Sequence, residues 1–392
     1  MGKSWLYIEP YVMINKNTNK ILLTNTLEGS NFIYNNDQVL DNLLNKLLDV
    51  KNNYCIQINH SDFNNSSIMG FISFLRTHYL ADYINQENNR KKPFIIYPLL
   101  NLQDEVGRFS NDKNPLEEKV ISYLSELFLY INSSNQGNVF SPYRQYPCPI
   151  NIDNGNSRLT SNEIGKVIEQ LRYSTVSVIN VFDDYLFEIE KKERDKIIGL
   201  FDSLSMKKMY HFDAKKIIKF IDKINILNSP KNELNIHLFV KEDFNFLTEL
   251  IYLLDNINAN YRFTFSVTEE VDYHSAMEVI NQSQLNNYEI KPLFNGKNHS
   301  FFKRNIFLSE REILNGTIYK KDIFIHKKLN NNDFGRLYVF GNGDIFANVN
   351  NPKVGNITED SLKGVICKEM MTEDNWRKTR NYFPCSNCLY QF

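Results

Sequence analysis

Glu126 to Cys148 reads ELFLYINSSNQGNVFSPYRQYPC, and its two halves ask for different structures. Leu127, Phe128, Leu129, Tyr130 and Ile131 are consecutive apolar residues, the pattern of a strand buried on both faces of a parallel sheet. From Asn132 the chain turns polar, which predicts a loop leaving the strand's carboxyl end. No cysteine stands between Cys55 and Cys148.

Moving outward, the same apolar run recurs at Val176 to Val181, Lys208 to Phe212, Asn235 to Val240, Arg262 to Val267 and Tyr288 to Leu293. Amphipathic segments lie between these runs. The first opens with a capping box, Thr160-x-x-Glu163, and sets Ile164, Val167, Ile168 and Leu171 on one helical face. Further helices are expected near Glu190 to Leu200, Lys215 to Ile221, Phe244 to Ile257 and His274 to Ile280. Strand and helix in alternation predict an α/β fold, a parallel sheet with right-handed crossovers. Six units are too few to close a TIM barrel and suit an open partial (β/α)6 one.

Acidic residues gather just after the strands: Asp183 and Asp184, Asp213, Glu242 and Asp243, Glu269 and Glu270, with His211 close by. Paired carboxylates there can do acid–base work or hold a hard cation. The same residues at helix starts cap orphan N–H groups, which is the commoner reason for them. His60, His237, His299 and His326 show no ligand-type spacing.

The N-terminal third has three short β-type runs, Tyr11 to Asn15, Lys20 to Thr24 and Asn31 to Tyr34, expected as an antiparallel meander. Asp37 then caps a helix with Leu40, Leu43, Leu44 and Leu47 on one face. A strand at Tyr54 to Ile58 precedes a helix from about Ser66, with Ile68, Phe71, Ile72, Leu75 and Tyr79 on its apolar side. Gln86 to Lys92 reads as a linker, and Pro93 to Pro98 as an edge strand confined by two prolines.

Lys+Arg 45 against Asp+Glu 46 leaves a net charge of −1, so no global field favours nucleic acid or an anionic membrane. No apolar stretch reaches the length of a signal peptide core or a membrane helix. Five cysteines, two of them close in sequence, fit a reducing compartment, and a cytoplasmic location is expected.

The strand and loop at Glu126 to Cys148, with the units that follow, resemble the radical S-adenosylmethionine (SAM) enzymes. In that family the loop carries Cys-x3-Cys-x2-Cys for an iron–sulfur cluster. Here Ser134, Asn138 and Ser141 stand at that spacing, and a hydroxyl or amide does not replace a soft thiolate. The family's second strand runs into a Gly-Gly-Glu turn that holds the amino group of SAM; this chain has Phe182-Asp183-Asp184. Arg336 to Phe392 resembles the SPASM region of peptide-modifying members: Gly343-Asp344 between two strands, Val354-Gly355-Asn356-Ile357, Asp360-Ser361-Leu362, Trp376, Arg380 and Pro384-Cys385-x2-Cys388. Ala347-Asn348 replaces an expected cysteine, so Cys385 and Cys388 supply two thiolates where four ligands are usual. A metal is not expected, and if one binds, that is its place.

The first 85 residues are similar to the winged-helix-like element that recognises precursors of ribosomally made, modified peptides (RiPPs). There a leader peptide adds to the edge strand, which makes Phe32, Ile33 and Tyr34 the edge, with Ile72 and Leu75 beside it. The other reading is a hairpin that only packs against the next domain. Together the resemblances are to pseudo-radical-SAM/SPASM proteins of Bacteroidetes peptide-maturation systems. They imply a winged-helix-like domain at 1–85, a linker with edge elements at 86–124, a partial barrel without cluster ligands at 125–315 and a degenerate SPASM-like extension at 316–392. The implied function is a non-catalytic accessory role, with no cofactor. The implied partners are a precursor peptide, a true radical SAM enzyme, or both, with no nucleic acid or membrane. Phe140, Tyr143 and Tyr146 would then form a docking surface or plug the cofactor cavity. The rival is a metal-dependent or hydrolytic barrel enzyme using Asp183, Asp184 and Asp213.

Overall fold

The structure is a computed structural model, which describes residues 3–86, 91–95, 120–132, 157–172, 174–183, 185–239, 246–372, 374–380 and 382–391. The chain divides into two compact units: 1–108 with 308–331 and 378–392, and 109–307 with 332–377. The stretch 316–392 is therefore shared between both.

In the larger unit the six expected strands form, all parallel and in sequence order: β7 (Glu126–Tyr130), β8 (Val178–Phe182), β9 (Lys207–Asp213), β10 (Asn232–Phe239), β11 (Tyr261–Val267) and β12 (Tyr288–Pro292). The sheet does not stop at six. β13 (Arg336–Phe340) pairs parallel to β7 on its other side, and β14 (Asp344–Phe346) and β15 (Gly355–Asn356) follow antiparallel, giving nine strands with β12 and β15 at the edges. The start of the C-terminal extension is thus built into the main sheet. Gly343 makes the β13–β14 turn at φ +82°, where a Cβ would also stand 2.8 Å from the Asn356 side chain, so only glycine fits.

Helices α3 (Ser161–Leu171), α4 (Lys191–Asp202), α5 (Ala214–Ile217), α6 (Leu247–Asn256) and α7 (Glu270–Gln282) connect successive strands. The Thr160–Glu163 capping box closes the start of α3 as expected. Leu127, Leu129, Ile179, Val181, Phe212, Ile236 and Phe265 join the apolar faces of these helices in one core. The intervening residues of the strands therefore point to the opposite face, since side chains alternate.

The smaller unit contains the expected meander, β2 (Val12–Lys16), β3 (Lys20–Asn25) and β4 (Ser30–Asn35), in that spatial order. A second antiparallel sheet accompanies it: β1 (Lys3–Ile8) lies between β5 (Cys55–Asn59) and β6 (Ala81–Asn85). The sequence pattern predicts neither β1 nor β6. Helix α1 (Gln38–Leu48) is capped by Asp37 and buries Leu40, Leu43, Leu44 and Leu47; α2 (Ser66–Thr77) is capped by Asn65 and buries Ile68, Phe71, Ile72 and Leu75. Tyr79, expected on that apolar side, lies past the helix end at φ +57° and is 80% exposed. Of the strand expected at Pro93 to Pro98, residues 93–95 are not in a strand, and the rest lies outside the described residues. Later helices are α8 (His299–Asn305) and α11 (Leu362–Met371) in the larger unit, with α9 (Glu310–Asn315) and α10 (Lys320–Lys328) in the smaller.

Candidate functional site

The face of the large sheet turned away from the core helices carries an aromatic row at its carboxyl end. Cross-strand register brings Phe340, Tyr130, Phe182 and His211 side by side on β13, β7, β8 and β9. Their rings stack in sequence: Phe340 on Tyr130 at 4.9 Å, Tyr130 on Phe182 at 4.2 Å and Phe182 on His211 at 4.0 Å, none tilted by more than 15°. Phe182 is 0% exposed. Its ring is thus packed between its two cross-strand neighbours, at the place where the resemblance calls for glycine.

The row ends in a polar chain that sequence reading did not find. His211 Nε2–H donates to Asn180 Oδ1 at 2.9 Å, which leaves Nδ1 to accept from His237 Nε2–H, also at 2.9 Å. Both imidazoles are buried, and burial pushes both pKa values well below 6.5; Lys291 and Arg262 act in the same direction on each, and His237 on His211. They are neutral hydrogen-bonding groups at neutral pH.

The carboxylates near the strand ends have structural partners. Asp183 is 1% exposed, forms an ion pair with Arg158 and accepts the Tyr185 N–H at 3.0 Å. Asp213 caps α5 through the N–H groups of Lys215 and Lys216. In the capping box at the start of α7 the Glu269 side chain accepts the Asp272 N–H while Asp272 accepts the Glu269 N–H at 3.1 Å, and Glu270 faces Arg304 at 3.9 Å. Asp184, Glu242 and Asp243 lie outside the described residues, as do Ser134, Asn138, Ser141, Phe140, Tyr143, Tyr146 and Cys148. Among the described residues no three His, Cys, Asp or Glu side chains gather to hold a metal, and no helix is long and apolar enough to cross a membrane.

In the smaller unit β4 is an edge of its sheet, as expected. The Asn36 N–H bonds to the Asn19 carbonyl at 2.8 Å, in register with the β3–β4 ladder. Antiparallel pairing alternates, so the main-chain groups of Phe32 and Tyr34 face β3, and those of Asn31, Ile33 and Asn35 face away from it. Beside this edge lies a groove of about 450 Å³ lined by Ile33, Tyr34, Asn35, Asp37, Leu40, Ser67 and Phe74. Phe32 packs on His78 at 4.4 Å and Tyr34 on Phe74 at 5.0 Å. Ile72 and Leu75, expected here, are 1% and 0% exposed in the core and do not line the groove; Phe74 of the same helix does, along with Leu40 of α1, which is itself 1% exposed. The Leu40 N–H and the Ser67 hydroxyl hold the Asp37 pKa below its usual range, which leaves a carboxylate on the rim.

Cys385 and Cys388 are free thiols in a short turn of the smaller unit.

No family model matches the chain, and no curated protein does. Among solved structures it is similar to polyhistidine-tagged anSMEcpe with bound AdoMet, at TM-score 0.46 and 10% identity over 68% of this chain and 83% of that one. It is also similar to native anSMEcpe with bound AdoMet and Kp18Cys peptide, at TM-score 0.42 and 9% identity over 61% and 79%.

Proposed function

We propose that this chain is a radical-SAM/SPASM-like protein without the catalytic step, an accessory in the maturation of a ribosomally made peptide. It binds the precursor through the edge of β4, and a true radical SAM enzyme is its second partner. The observation that carries this reading is Phe182. A turn that holds the amino group of SAM needs backbone open to close approach, and here a fully buried ring stacks between Tyr130 and His211. The residues of this turn do not fit SAM, and Ser134, Asn138 and Ser141 are not cluster ligands by their chemistry.

Peptide binding is supported by an edge strand with outward main-chain groups beside a groove of mixed polar and apolar lining, the arrangement of strand addition. Asp183 and Asp213 do not favour the hydrolytic alternative, because an ion pair and a helix cap account for them. The test is anaerobic reconstitution with iron and sulfide, then incubation with SAM and reductant, alongside co-purification with candidate precursor peptides. Retention of a precursor without 5′-deoxyadenosine is the expected result. Formation of 5′-deoxyadenosine, or stoichiometric divalent metal with activity lost in Asp213→Ala, would overturn it.

A further inference from the structure

Cys385 and Cys388 take no part in the β4 groove or the aromatic row. Residues Cys385–Asn387 form a 3-10 turn, and the Cys388 N–H donates to the Cys385 carbonyl at 3.0 Å. A turn closed in this way holds its first and fourth Cα atoms within about 7 Å, against the span of roughly 4.4–6.8 Å that a disulfide bridges. Cys388 is exposed and Cys385 half-buried, whereas Cys55 is in the core and Cys367 is within α11. The residues after the turn are anchored. Asn15 of β2 donates to the carbonyls of Gln391 at 2.9 Å and Leu389 at 3.4 Å. The Tyr390 hydroxyl donates to Glu310, which also accepts from Lys20 of β3 at 2.6 Å. The turn therefore lies just before the residues that dock on the meander.

We propose that Cys385 and Cys388 form a thiol–disulfide site that reacts with a low-molecular-weight disulfide such as oxidised glutathione, and that the bridge fixes the tail on the β2 side of the meander. The exposed Cys388 thiolate attacks one sulfur of glutathione disulfide, making a mixed disulfide and expelling one glutathione thiolate. The Cys385 thiolate then attacks the Cys388 sulfur, forms the intramolecular bond and expels the second glutathione. The cysteine pair loses two electrons and two protons, and glutathione disulfide gains them, becoming two glutathione thiols. Excess reduced glutathione runs both steps backwards. The closed ring spans four residues, so its effect is confined to the turn and the anchored residues after it. None of this depends on β4 binding a peptide.

The experiment uses the full chain, reduced and then incubated with oxidised glutathione, with free thiols trapped and peptides mapped by mass spectrometry. The expected product links Cys385 to Cys388 with loss of two hydrogens. Amide exchange over residues 389–391 should slow by about tenfold on bridging. Cys385→Ser should leave Cys388 with a stable glutathione adduct, because nothing resolves it. Glutathione adducts on both cysteines of the unsubstituted chain, a bridge to another cysteine, or a bridge that leaves exchange at 389–391 unchanged would each overturn the proposal.

Discussion

Phe182 shows what one side chain does at the end of a strand. Its ring has an aromatic neighbour on each side, so Phe182→Ala removes both stacks and leaves a void; such truncations cost about 3–5 kcal/mol. A lower urea midpoint at unchanged slope is the expected outcome, with no SAM binding gained by calorimetry. Next in the row, His211 and His237 make stability depend on pH. Their folded pKa values lie well below 6.5, so below pH 6.5 the unfolded chain binds more protons than the folded one. Stability should hold above that pH and fall as pH drops below it, by up to about 1.4 kcal/mol per unit for each histidine. Chemical denaturation at pH 7.5 and pH 5.5 checks this. Replacing both with phenylalanine should remove most of the difference.

Among elements, the six parallel strands were legible because apolar residues recur in each, nearly continuous in β7 and β8 and mixed with polar ones in β9 to β12, with helical patterns between them. β1 and β6 were not. β1 carries a run of only four apolar residues, Trp5 to Ile8, and β6 holds only Ala81, Tyr83 and Ile84 as apolar positions; each becomes a strand by pairing, β1 with both β5 and β6. The histidine pair was hidden for the same kind of reason. His237 and Asn180 lie 26 and 31 residues from His211, and only the parallel register of β8, β9 and β10 brings them together. Register also sharpens the test of β4. The Ile33 N–H faces away from β3, so Ile33→Pro removes a donor from the outward side of β4 and none from the β3–β4 ladder. Binding of a co-purified precursor peptide should weaken at least about tenfold, the factor for a hydrogen bond and its neighbours lost from strand addition. Fluorescence anisotropy with the labelled peptide reads this, and circular dichroism should show the fold retained. Unchanged affinity would move the peptide away from β4.

For the whole molecule, the chain path matters more than any single boundary. The smaller unit is assembled from residues 1–108, 308–331 and 378–392, so the meander does not complete itself from its own third of the sequence. Composition and periodicity locate elements but carry no record of which distant segments return, and the two returning segments look like ordinary polar helix and tail. What they supply is specific. Asn31 of β4 donates to the carbonyls of Gly316 at 2.9 Å and Leu314 at 3.3 Å, and Asn15 of β2 reaches the tail carbonyls of Leu389 and Gln391. Leu389 is itself buried. A fragment of residues 1–108 forfeits these bonds, each worth about 0.5–1.5 kcal/mol, and the apolar contacts of Leu389 as well. Against the few kcal/mol that hold a domain of this size together, that loss is decisive. The isolated fragment should therefore unfold at lower urea than the same residues in the full chain, with hydrogen exchange in β2 to β4 faster throughout. Asn15→Ala and Asn31→Ala in the full chain should each reproduce part of the loss, by about 1 kcal/mol. A fragment as stable as the parent would mean that residues 308–331 and 378–392 rest on a meander already complete without them.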